Sequence, residues 1–132
     1  MSGRTDTVGR GAMGEAAVAS YLEEGGCTVC ARNFRTAHGE LDIVAEDETH
    51  LLFVEVKTRL HTTDRNRFGR ACAAVTRTKQ KHLIYAAETY LRLLPTEKQP
   101  RFDVAEVYLT GGDCPHVTEL HYLPGAFIKT SF

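Results

Sequence analysis

The sequence predicts an α/β protein, a small mixed β-sheet flanked by helices in the order α-β-β-β-α-β-β. Three observations predict it. An alanine-rich stretch halted by Gly25-Gly26 has helical character. Two apolar runs around a short polar segment read as a hairpin. A helical stripe of apolar residues then separates that hairpin from two further alternating runs. With 132 residues the chain is long enough for one domain with a single core.

Residues 1–10 are polar and are expected to form a flexible segment, leaving residues 11–132 as the single domain. The first helix is expected over residues 12–24, with Val18, Tyr21 and Leu22 as its apolar stripe. At 100° per residue Glu15 falls within about 20° of Leu22, at the edge of that stripe. A carboxylate there either reaches inward or simply complements the helix dipole as an acid in the first turn. A strand near residues 28–34 follows. Cys27 and Cys30 form an isolated CxxC, and Cys72 and Cys114 do not supply the second pair of a zinc ribbon. Strand geometry sends Cys27 and Cys30 to opposite faces, so the cysteines read as structural, reduced thiols.

The hairpin joins Gly39-Glu40-Leu41-Asp42-Ile43-Val44-Ala45 to Leu51-Leu52-Phe53-Val54-Glu55-Val56-Lys57. A loop centred near Glu48 sets Val44 opposite Phe53 and Asp42 opposite Glu55. One face then carries Asp42, Val44, Phe53, Glu55 and Lys57; the other carries Ile43, Ala45, Leu52, Val54 and Val56. Opposed residues have Cβ atoms roughly 4.5–5.5 Å apart. Two carboxylates at that separation repel unless a cation or a shared proton lies between them. A hard divalent ion, Mg²⁺ or Mn²⁺, is the simplest resolution. A one-residue slip would separate the charges, so the reading depends on this register.

A polar segment over residues 60–70 with a turn at Gly69 leads to the second helix. Its stripe is Leu83, Ile84, Ala87, Tyr90, Leu91 and Leu94, and Pro95 ends it. Arg77, Lys79 and Lys81 occupy its first half, where cations oppose the dipole. Bound phosphate would justify them; ordinary solvated side chains are the alternative. Residues 101–109 alternate as a core strand, and residues 116–123 give the last one.

Net charge is −1, but the charge is unevenly spread. Residues 40–55 hold six acids and no Lys or Arg, whereas residues 57–82 hold eight Lys or Arg and one acid. That pattern suits a metal site beside a phosphate-binding surface, or two solvated segments of opposite sign. No apolar run exceeds five residues, which excludes a spanning helix or a signal-peptide core and leads to the expectation of a cytoplasmic protein without membrane partners.

Asp42, then Glu55-Val56-Lys57 thirteen positions on, resembles the core of the PD-(D/E)XK nuclease superfamily. Further blocks resemble the YraN family of bacterial proteins, itself similar to archaeal Holliday-junction resolvases. They are Gly14-Glu15, Asn33-Phe34-Arg35, Gly39-Glu40-Leu41-Asp42, Phe53-Val54-Glu55-Val56-Lys57-Thr58-Arg59, Lys79 and Arg101-Phe102-Asp103-Val104. Leu41 stands where the superfamily's name has proline, a departure that leaves the carboxylates intact.

The resemblance implies a restriction-endonuclease-like fold and a metal-dependent endonuclease acting on branched or structured DNA. By the resemblance, Asp42, Glu55 and the Val56 carbonyl hold the metal, Glu15 touches it directly or through water, and Lys57 orients water or stabilises charge at the phosphate. Arg59 and Lys79 are expected to contact the nucleic acid, with Arg77 and Lys81 beside them. Glu40 shares strand parity with Asp42 and either supports the metal or sits at a solvated strand start, the second being favoured. Arg101 and Asp103 are expected to pair and brace the sheet. Symmetric cutting of a junction would call for a homodimer. The other reading is a nucleic-acid-binding module that keeps the fold without catalysis.

Overall fold

A computed structural model describes residues 3–61 and 75–127. Its elements are α1 (Gly3–Glu24), β1 (Thr28–Arg35), β2 (Glu40–Glu46), β3 (His50–Leu60), α2 (Arg77–Leu93), β4 (Gln99–Leu109) and β5 (Val117–Phe127). The expected order is therefore the observed one. The five strands form one open sheet in sequence order, with β3 and β4 parallel and every other neighbouring pair antiparallel. A parallel pair needs a crossover, and α2 lies within it. The expected segment over residues 60–70, with its turn at Gly69, and Cys72 lie outside the described residues beyond His61.

Helix α1 starts at Gly3, so residues 3–10, expected to be flexible, are helical. Helix extension adds one hydrogen bond per residue to an existing nucleus, which lets polar residues join a helix anchored elsewhere. The anchor is Val18, Ala19 and Leu22, all buried. In α2 the buried set is Leu83, Ala86, Ala87 and Tyr90. Leu94 forms the C-cap rather than part of the stripe and is exposed. The helix start is fixed by Thr76, whose side chain accepts from the Lys79 amide at 3.2 Å.

The hairpin register is the one alternation implies, Val44 facing Phe53 and Ile43 facing Val54. Asp47 closes its loop, with Oδ1 accepting from the Thr49 and His50 amides at 2.8 and 2.7 Å. Val44 and Phe53 pack with α2, Phe102 and Val104. Ile43, Ala45, Leu52 and Val54 pack with α1, Ala105 and Val107. Each fully buried aliphatic or aromatic side chain contributes about 1.5–3 kcal/mol. Both hairpin faces are buried, so a slipped register would place the charged residues in the wrong core.

In the first half of β4, the fully buried Asp103 carboxylate is satisfied from four directions. It accepts from Arg101 Nε at 2.8 Å and Nη2 at 3.0 Å, from the Tyr122 hydroxyl at 2.5 Å and from the Gly125 amide at 2.8 Å. Burial and the Asp103 charge push the Tyr122 hydroxyl pKa up. The expected Arg101–Asp103 pair thus ties β4 to β5.

Gly39 lets the start of β2 pass close beneath α2. A Cβ built there would lie 2.2 Å from the His82 carbonyl oxygen, a backbone atom that cannot swing away. Gly39→Ala is therefore expected to lower stability by about 1–3 kcal/mol, measured by denaturant unfolding. An unchanged midpoint would contradict this packing.

Candidate metal centre

The recorded pairing of β2 with β3 runs from Glu46↔Leu51 to Ile43↔Val54. Past that point β2 continues against β1 as far as Arg35↔Glu40, and β3 continues against β4 as far as Leu60↔Leu109. The two strands fork at Asp42 and Glu55, the next pair in register. Inside the fork the Val56 amide donates to Asp42 Oδ2 at 2.9 Å. The amide and carbonyl of one strand residue leave on the same side, so the Val56 carbonyl is directed toward Asp42 too.

Glu55 is only 6 % exposed. Its Oε1 lies 3.6 Å from Lys57 Nζ and 3.7 Å from Lys79 Nζ. Its Oε2 is buried and has no hydrogen-bond partner, the one such side-chain atom among the described residues. Burial, then the Asp42 charge, raises the Glu55 pKa to about 7 against the pull of Lys79 and Lys57. Burial also raises Asp42, offset by the Val56 amide and the two lysines. Glu15 is raised by burial and then by the Asp42 charge, which places it within electrostatic reach of Asp42.

A buried, orphaned carboxylate oxygen on a residue that feels a second carboxylate would fit a hard cation, which both neutralises and coordinates. The donors available to such an ion would be oxygens only: Asp42, Glu55 and the Val56 carbonyl, with Glu15 at the edge. Among the described residues no three His, Cys, Asp or Glu side chains converge as a metal cage. Water would have to complete the coordination, which suits Mg²⁺ more than Zn²⁺.

The structure brings Asp42, Glu55 and Lys57 together, and adds Lys79, expected on the nucleic-acid surface, as a direct partner of Glu55. Glu15 Oε2 accepts from Asn33 Nδ2 at 3.3 Å. Glu40 is held by Arg35 across β1 and β2 at 3.7 Å, although its charge still raises Asp42. Arg59, Arg77 and Lys81 are exposed, Arg59 near the end of β3 and the other two in the first half of α2. Arg59 also lines a small cavity beside Val56 with Arg10, Gly11 and Thr58.

One buried acid escaped the sequence reading. Glu106 is fully buried, is the Cα partner of Lys57 on one side and His121 on the other, and accepts from the Tyr108 hydroxyl at 2.7 Å. Alternation through residues 101–109 already sets Glu106 on the face of Phe102 and Val104, which was the available signal.

A carboxyl with a raised pKa holds its proton more tightly when folded. Its contribution to stability is complete below pH 4.5 and is lost as pH rises through about 7. Glu55→Gln is therefore expected to stabilise the metal-free protein by roughly 2–3 kcal/mol at pH 8 and to have little effect at pH 4, measured by urea unfolding. Equal effects at both pH values would contradict the buried, proton-binding Glu55.

A model of the uncharacterised protein family UPF0102 matches residues 14–107. That range spans every block from Gly14-Glu15 to Arg101-Phe102-Asp103-Val104. A UPF0102 protein of Bacteroides thetaiotaomicron is 40% identical over 116 residues, covering 86% of this chain and 93% of the relative. One of Mycolicibacterium vanbaalenii is 40% identical over 121 residues, covering 91% and 97%. One of Symbiobacterium thermophilum is 45% identical over 98 residues, covering 74% and 80%. With a family match over most of its length and relatives aligned nearly end to end, the chain belongs to the UPF0102 family.

Proposed function

We propose that this protein is a divalent-metal-dependent endonuclease that hydrolyses phosphodiester bonds in branched or structured DNA, on a restriction-endonuclease-like PD-(D/E)XK scaffold. The observation that carries the reading is Glu55, a buried carboxylate with one orphaned oxygen, set at a strand fork beside Asp42 and two lysines. A binding-only protein gains nothing from buried carboxylates that repel phosphate.

Asp42 and Glu55, with the Val56 carbonyl, would hold Mg²⁺ or Mn²⁺, and Glu15 would act at the edge directly or through water. The bound ion supplies an acidified water and neutralises charge at phosphorus. Lys57 and Lys79 neutralise Glu55 in the free protein. With that charge taken up by the ion, their ammonium groups become available to the scissile phosphate. Water oxygen bonds to phosphorus as the bond to the leaving oxygen breaks, and that oxygen takes up a proton. Arg59, Arg77 and Lys81 are exposed cations suited to flanking phosphates, so binding should weaken steeply with salt.

Among the described residues no helix is long and apolar enough to cross a membrane. Action on cellular DNA would place the enzyme in the cytoplasm, and paired cuts across a junction would call for a two-fold dimer.

The test is a cleavage screen over duplex, single-stranded, flap and four-way-junction DNA with Mg²⁺ and Mn²⁺. Glu55→Gln and Lys57→Ala are expected to lower cleavage by about 100-fold or more while DNA binding persists. No cutting of any DNA or RNA form, together with no divalent binding by calorimetry, would defeat the enzyme reading. DNA binding that survives such a result would favour a non-catalytic module.

A further inference from the structure

Asn33 has a backbone φ of 51°, the one non-glycine residue with positive φ among the described residues. It does not lie in a turn. It sits inside β1, between the pairs Arg32↔Ile43 and Phe34↔Leu41, so the register sets it across from Asp42. A left-handed residue within a strand costs conformational energy, and asparagine tolerates that region better than most residues. Such strain persists where the surrounding structure holds it, and it clusters at functional sites. The distortion interrupts the strand's alternation beside the fork, and the Asn33 side chain donates from Nδ2 to Glu15 Oε2 at 3.3 Å.

We infer that Asn33 is a positioning residue that fixes the Glu15 carboxylate toward Asp42 and the metal. The inference rests on the endonuclease reading above. Glu15 comes from α1, whereas Asp42 and Glu55 come from the hairpin, so no backbone pairing aligns them. The amide of Asn33 donates the hydrogen bond that joins the helix carboxylate to the strand next to Asp42. It adds no charge, so it orients Glu15 without competing for a cation. Groups that orient a ligand from outside the coordination shell typically matter 10–100-fold in metal affinity or activity.

Asn33 is exposed, and glycine accepts the left-handed backbone freely, so Asn33→Gly removes the amide while preserving the fold. Mn²⁺ affinity by calorimetry and cleavage of DNA should be measured for the wild type, Asn33→Gly, Glu15→Gln and the double variant. The expected result is a loss of about 10-fold in Mn²⁺ affinity and kcat for Asn33→Gly, with KM for DNA and the thermal midpoint unchanged. The double variant should be no worse than Glu15→Gln alone, since both changes remove one arrangement. Wild-type affinity and turnover in Asn33→Gly, or losses that multiply in the double variant, would overturn the inference while leaving the nuclease standing. A wild-type protein that neither binds Mn²⁺ nor cuts would remove the endonuclease reading, and this inference with it.

Discussion

The fork between β2 and β3 is the constraint on which the rest of the site depends. A sheet normally satisfies each backbone group through a neighbouring strand. Where two strands part, those groups need another partner, and here the Asp42 side chain accepts the Val56 amide. One carboxylate thus serves as a continuation of the ladder and as a candidate ligand. At the fork the lysines of β3 and α2 converge on Glu55 from two elements.

Much of this was legible in the sequence because strands have a strict period of two. The alternation of Ile43, Ala45, Leu52 and Val54 against Val44 and Phe53 admits one register that buries both faces, and that register aligns Asp42 with Glu55. The stripe from Leu83 to Tyr90 was equally decisive for α2. Less legible were features set by crossing elements. Lys79 looks like a surface cation in its own helix; only the tertiary packing of α2 on the sheet brings it to Glu55. The helical state of residues 3–10 depends on propagation from a buried anchor, which composition does not report. Asn33 lies in a stretch that reads as plain strand, and nothing in that alternation signals its left-handed backbone.

The sheet separates its tasks between the neighbouring strands β4 and β3. In β4, Asp103 is saturated by Arg101, Tyr122 and Gly125, so its charge is spent on joining β4 to β5. Beside the fork, Glu55 keeps an oxygen without a partner. Both are buried carboxylates in one sheet. The difference lies in the number of donors aimed at each, and it distinguishes a structural acid from one poised for a ligand.

The parallel ladder between β3 and β4 has a consequence for how the molecule assembles. Every pair in it, from His50↔Gln99 to Leu60↔Leu109, joins positions forty-nine apart in the chain. The hairpin that contains Asp42 and Glu55 is local and closes quickly, whereas non-local pairing waits on the closure of a long loop. The two acids, with Lys57 on the same hairpin, therefore meet before Lys79 and β4 arrive. Until then Lys57 is the one cation the hairpin itself sets against its two acids, and the arrival of α2 brings Lys79 as the second.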